Sequence, residues 1–173
     1  MTLTPKQLSI AVTAVKSHGW TWQALRILAP ELGIKVPEHG CWQEVAHLDL
    51  LPAVCQVAVA LQDTPRALGY LCLNGAMPEG TVLPASLKTL YLYLGGGTMP
   101  PGCVLPASLK ILAMGGGTLP PGCVLPASLE VLGLGGGTLP PGCVLPASLK
   151  TLYLDGGYLP PGCVLPASLK VCT

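Results

Sequence analysis

The chain repeats itself. Residues 145–165 read LPASLKTLYLDGGYLPPGCVL, and close copies begin at Leu105 and Leu125. A looser copy begins at Leu83, and another begins at Leu165 and runs only to Thr173. A fixed period of about 20 residues specifies a solenoid. One such unit cannot bury its own apolar side, so it becomes stable only by stacking on copies of itself.

The wording of the unit narrows the class. Leu149, Leu152 and Leu154 follow L-x-x-L-x-L, with Gly157 and Leu159 completing the phrase. The other full copies give Leu112, Met114, Gly117 and Leu119, then Leu132, Leu134, Gly137 and Leu139. In this the chain resembles a leucine-rich repeat protein. LPASL is similar to the LPxxL signature of the short-repeat bacterial class, which includes type III secreted effectors; the FNIP repeat is the next closest pattern. The resemblance covers roughly residues 64–173 and implies parallel strands on one face and an irregular, polyproline-like convex side. Where that family places Asn, this chain has the ladder Gly97, Gly117, Gly137 and Gly157. Glycine there is expected to relieve a φ > 0 restriction. Backbone or water must then replace the Asn side-chain bond, in a turn looser than is usual in the family.

Composition bounds the rest. The 173 residues suit one domain, or a short solenoid with a cap. Of the 22 glycines and 19 prolines, those of the repeats recur periodically, so they mark turns rather than disorder. A net charge of +1 leaves no electrostatic footprint for nucleic acid or an anionic membrane. The start, MTLTPKQLSI, lacks the basic and apolar regions of a secretory signal. The apolar run 50–61, broken by Pro52 and Gln56, is too short to span a bilayer. A cytoplasmic protein is expected, with an effector secreted by an uncleaved signal as the other option.

Residues 1–63 read as a helical capping domain. Thr4-Pro5 starts a helix with Leu8, Ala11, Val12 and Val15 on one face, ended by His18-Gly19. Thr21 caps a second helix, which Pro30 kinks or ends and Gly33 closes. A third is expected over 41–48. A fourth, over 52–61, is apolar nearly all round, the pattern of a buried helix, and is expected on the open end of the solenoid. Residues 65–73, PRALGYLCL, form a degenerate first repeat with Leu68, Leu71 and Leu73 in the leucine positions. The fold expected is therefore α/β: a leucine-rich-repeat solenoid of about five units over 64–173, the last truncated, behind an N-terminal helical cap.

In such a strand the leucines point inward and the residues between them face the concave surface. That surface then carries Lys110, Ile111 and Ala113; Glu130, Val131 and Gly133; and Lys150, Thr151 and Tyr153. The copy containing Leu90, Tyr91, Leu92, Tyr93 and Leu94 is two residues longer, which preserves alternation. Tyr93 is expected to align with Ala113 and Gly133, so that Tyr93 and Tyr153 flank two small residues. Either this is a slot with an aromatic at each side, or the tyrosines simply cover the sheet. Lys110, Glu130 and Lys150 form a column of alternating charge, read as a cross-strand ladder in water. Thr98, Thr118 and Thr138 stack as well, an arrangement that could meet ice or a sugar surface. Cys103, Cys123, Cys143 and Cys163 form a column of buried, reduced thiols, since parallel Cβ vectors do not suit a disulfide.

Other chemistries fit poorly. The glycine triplets are each followed by Thr or Tyr, Leu or Met, then Pro-Pro, so they do not open a phosphate-binding helix. Residues 19–37 faintly resemble a helix-turn-helix, but Pro30 interrupts the first helix and 38–48 carries no Lys or Arg. His18, His39 and His47 all lie outside the repeats, and no catalytic or metal-binding spacing emerges. The expectation is a non-enzymatic module without cofactor or metal, binding a protein partner on the concave face, with no nucleic acid and no membrane. The alternatives are a self-assembling module, weakly associated through its C-terminal strand edge, and DNA binding by the cap.

Overall fold

The computed structural model describes residues 2–18, 22–35, 51–61, 63–64, 67–74, 77, 79, 81–95, 97–167 and 169–172. The chain forms two compact units, divided at Leu68 and Gly69. The first contains α1 (Pro5–His18), α2 (Trp22–Leu32) and α3 (Leu51–Ala60). The second contains β1 (Tyr70–Asn74), β2 (Thr89–Tyr93), β3 (Ile111–Gly115), β4 (Val131–Gly133), β5 (Thr151–Tyr153) and β6 (Lys170–Cys172).

The helices begin and end where local chemistry directs. Thr4 and Gln7 make a capping box: Thr4 N donates to Gln7 Oε1 at 2.9 Å, and Gln7 N to Thr4 Oγ1 at 3.4 Å. Pro30 does not stop α2, which runs on to Leu32; having no N–H, it gives up one intrahelical bond. The end comes at Gly33, φ 66°, where Gly33 N donates to Pro30 O and Ile34 N to Ala29 O. That pair of bonds is a Schellman motif. Leu3, Ala11, Val15, Leu28, Val57 and Leu61 share the core of this unit. The helix expected over 41–48 lies outside the described residues. Contrary to expectation, α3 is not buried all round: Ala53, Cys55, Val57 and Ala58 are buried, while Val59 is 41% exposed.

The second unit is a solenoid-like stack. Its six strands form one parallel sheet in sequential order, β1 to β6. Each coil returns through the same turns. In Pro100-Pro101-Gly102-Cys103, the Cys103 N–H donates to Pro100 O and Gly102 has φ 77°. This is a type II turn with Pro and Gly in the two positions that favour them, and it recurs at Gly122, Gly142 and Gly162. Leu109 N then closes a second turn on Pro106 O, and the strand follows. Leu90, Leu112, Leu132 and Leu152 are fully buried; in β2, β3 and β5 their neighbours are not, while in β4 Gly133 is buried as well. The inward leucines of successive coils meet in columns. That stacking supplies the apolar burial no single coil could achieve.

The glycine ladder has a different cause from the one expected. Gly97, Gly117, Gly137 and Gly157 do not have positive φ; the left-handed positions are Gly95, Gly116, Gly135, Gly136, Gly156 and Asp155. The ladder is glycine because successive backbones touch there. A Cβ on Gly157 would lie 2.5 Å from Gly137 O and 2.9 Å from Leu154 O. At Gly137 it would strike Gly117 O and Leu134 O. The bond an Asn side chain would make is replaced by backbone: Gly137 N donates to Leu134 O and Gly157 N to Leu154 O, each at 2.7 Å.

The register also corrects the placement of Tyr93. Tyr91, not Tyr93, pairs with Ala113, and Tyr93 pairs with Gly115. The two extra residues of this coil are absorbed after the strand, since Thr98 pairs with Thr118 again in the regular phase. Seryl hydroxyls fasten the front of β3, β4 and β5 to the preceding coil. Ser108 Oγ donates to Leu87 O, Ser128 Oγ to Leu109 O and Ser148 Oγ to Leu129 O, at 2.6–2.7 Å. The glycine turn behind the strand is the softer place. There Leu94 folds inward, 6% exposed, over the space a side chain on Gly117 would need.

At the last strand the phase slips. Thr151 pairs with Lys170, one residue short of the repeat spacing. Val171 and Leu165 are 39% and 44% exposed, whereas Leu145 is 5% exposed.

Candidate functional site

The outward side chains of the six strands make one continuous face. Its central row runs Cys72, Tyr91, Ala113, Gly133, Tyr153 and Cys172. The register therefore puts Tyr91 and Tyr153, not Tyr93 and Tyr153, on either side of the two small residues. Tyr91 and Tyr153 flank Ala113 and Gly133, which form a floor two strands wide. Three strand steps separate the walls, about 14 Å. Floor and flanks are shallow: Ile111, Ala113, Val131 and Thr151 are half-buried, and Gly133 is buried between its neighbours.

The wall on the β2 side is thicker than one residue. The rings of Tyr70 and Tyr91 lie 5.7 Å apart at 43°, a tilted aromatic contact of the favoured kind. Tyr93, 50% exposed, lies on the same side, and a Cβ on Gly115 would meet its ring at 2.6 Å. Tyr93 therefore extends the wall rather than forming it. The Tyr70 phenol is pushed above its ordinary pKa by partial burial, and further by Cys72, Tyr91 and Tyr93 beside it. Tyr70 was not singled out in the sequence. The match of PRALGYLCL to PASLKTLYL carried the signal, because it sets Tyr70 opposite Thr89.

A charged rim borders the front of the strands. Backbone bonds link Lys88, Lys110, Glu130, Lys150 and Lys170 in series, each N–H donating to the preceding carbonyl. Lys110 Nζ reaches Glu130 Oε1 at 2.9 Å, and Lys150 Nζ reaches Glu130 Oε2 at 2.6 Å. The hydrogen bond from Lys150, then that from Lys110 and both positive charges, hold the Glu130 carboxyl at about 2, below its usual 4.5. Among the described residues neither Lys88 nor Lys170 has an ion pair. The rim thus ends in cations on both sides.

The remaining columns are built as the repeat dictates. Thr98, Thr118, Thr138 and Tyr158 pair in one parallel line, with Thr118 and Thr138 half-buried. The repeat cysteines are free, but only Cys143 is buried; Cys103, Cys123 and Cys163 are half-buried. They follow the exposed Pro-Gly turn. Burial raises all four thiol pKa values, with neighbouring thiols adding to the rise at Cys123 and Cys143. They are poor nucleophiles as a result. No group of His, Cys, Asp and Glu among the described residues could hold a metal ion. The side chain of His18 lies outside the described residues, as do His39 and His47 entirely. So does the second helix of the helix-turn-helix reading. No helix among the described residues is long and apolar enough to cross a membrane.

Comparisons with protein-family models, with curated proteins and with solved structures return no match to this chain.

Proposed function

We propose that this chain is a non-enzymatic recognition module of the short leucine-rich-repeat type, and that it binds a protein segment on the outward face of its sheet. The observation that carries this reading is the row Tyr91, Ala113, Gly133, Tyr153: two aromatic walls over a floor of small residues. Tyrosine offers large contact area at low entropic cost and is enriched at binding hot spots. A floor of Ala and Gly lets a bulky apolar side chain enter between them. The rim adds a charge preference. Lys88, Lys110, Lys150 and Lys170 against the single Glu130 favour a partner that brings carboxylates alongside its apolar anchor. Ile111, Val131 and Thr151, between rim and floor, supply the half-buried apolar margin of the same surface.

Selection of binders from a random peptide library displayed on phage tests this. Peptides combining an aromatic or long aliphatic residue with Asp or Glu should be enriched on the parent protein. They should not be retained by a Tyr91→Ala/Tyr153→Ala variant. Failure to enrich any peptide, or equal retention by the variant, would remove the case for the slot.

A further inference from the structure

The return segments of the solenoid carry a second surface. Val82, Val104, Val124, Val144 and Val164 occupy one phase of the repeat, and each is between 68% and 80% exposed. The reason is local. Each valine precedes the leucine that turns inward at the start of LPASL, so alternation turns the valine outward. Leu105, Leu125 and Leu145 are 5–6% exposed. Stacking at the strand repeat then sets the five valines in a ridge about 19 Å long.

From Val104 to Val164 nothing charged interrupts this ridge; beside Val82 the exposed Glu79 stands at the repeat position of Pro101. Segments 99–109, 119–129, 139–149 and 159–169 contain no Asp, Glu, Lys or Arg. The valines are bordered by the exposed prolines of the type II turns and the exposed alanines of LPAS. Five valines so exposed present roughly 600 Å² of apolar surface, the top of the range for the largest patch on an ordinary monomer. With their proline and alanine borders they approach the roughly 800 Å² per partner of a standard interface.

We propose that this valine ridge is a homodimer interface, its occupant the same ridge of a second copy. Three features favour that occupant. The ridge has a uniform period, so two copies run antiparallel can interdigitate, each valine entering the gap between two others. From Val104 to Val164 it is uncharged, so identical faces meet there without repulsion, while the lysine rim stays on the strand side. A lipid surface is less well matched, since interfacial binders pair their apolar face with Lys or Arg and Trp. The ridge segments contain none of these. A two-fold axis places the same patch on both partners and closes the assembly at two. It also brings Val124, the middle valine, nearest the axis.

Sedimentation equilibrium of the full chain under reducing conditions, over a wide dilution series, tests the proposal. A concentration-dependent dimer is expected. Val124→Lys should weaken it most, by about a hundredfold, because two unpaired ammonium groups would be buried together. Val104→Lys and Val144→Lys should weaken it less, and Val164→Lys least. These side chains are exposed, so unchanged circular dichroism and melting should accompany each variant, and the milder Val124→Thr provides a second reading. A monomer at every concentration overturns the proposal. So does a dimer indifferent to the valine changes but dissociated by Val171→Lys, which would put the contact at the edge of β6. Pelleting of the parent chain with phosphatidylcholine vesicles, lost in Val124→Lys, would assign the ridge to lipid instead.

Discussion

Single residues in this chain are decided by how closely one coil lies on the next. Gly137 is the sharpest case, because a Cβ there would meet backbone oxygen on two sides. Gly142 is the opposite case: its φ is 75°, but the space around it is empty. Gly137→Ala should therefore cost about 3 kcal/mol or more by overpacking that cannot relax. Gly142→Ala should cost about 1–2 kcal/mol, the strain of a left-handed residue. Urea titration of both variants checks the order, and the reverse order would restore the dihedral explanation. Glu130 gives a prediction in pH. Its folded pKa lies below the ordinary value, so the stability it contributes is complete above about 4.5 and lost as pH falls through about 2. The melting difference between the parent and Glu130→Gln should be present at neutral pH and vanish by pH 2. A difference that persists there would mean the carboxylate charge is not what the lysines hold.

At the scale of the strand and its coil, the leucine columns were legible and their phase was not wholly so. Leu112, Leu132 and Leu152 could be assigned inward from spacing alone, and they are fully buried. Leu132→Ala should cost about 2–5 kcal/mol by chemical denaturation; melting unchanged from the parent would contradict the stacked core. Tyr93 was misaligned because a two-residue insertion preserves alternation wherever it falls. Nothing in LYLYL says whether its first or its second tyrosine stands beside Ala113. The structure decides through the serine bonds, which fix the front of the strand and leave the turn to absorb the excess. Ser128→Ala should leave Leu109 O without its seryl donor and cost about 1–2 kcal/mol. The exposed valines were illegible for a related reason. In the run CVLP, Val and Leu are equally apolar, and only the turn before them determines which faces out.

Over the whole molecule the charges and the apolar surface are segregated. The solenoid keeps its lysines and Glu130 along the strand side, and the return segments 99–109, 119–129, 139–149 and 159–169 carry no charge. Two separate surfaces follow, one with the row of tyrosines and the charged rim, the other with the exposed valines. The period of 20 residues made the solenoid legible, since repetition by itself sets which residues stack on which. The row of two tyrosines around two small residues was legible as a pattern, with Tyr93 taken in place of Tyr91. The slot is the central claim, and filling its floor tests it most directly. A Cβ on Gly133 would sit 3.5 Å from the Ala113 Cβ, an ordinary contact, so a side chain there is tolerated. Valine also suits a strand better than glycine. Isothermal titration of a selected acidic-aromatic peptide against the parent and Gly133→Val should show binding to the parent and at least about a tenfold loss in the variant, with the melting temperature not lowered. Equal affinity in a stably folded Gly133→Val would contradict the slot.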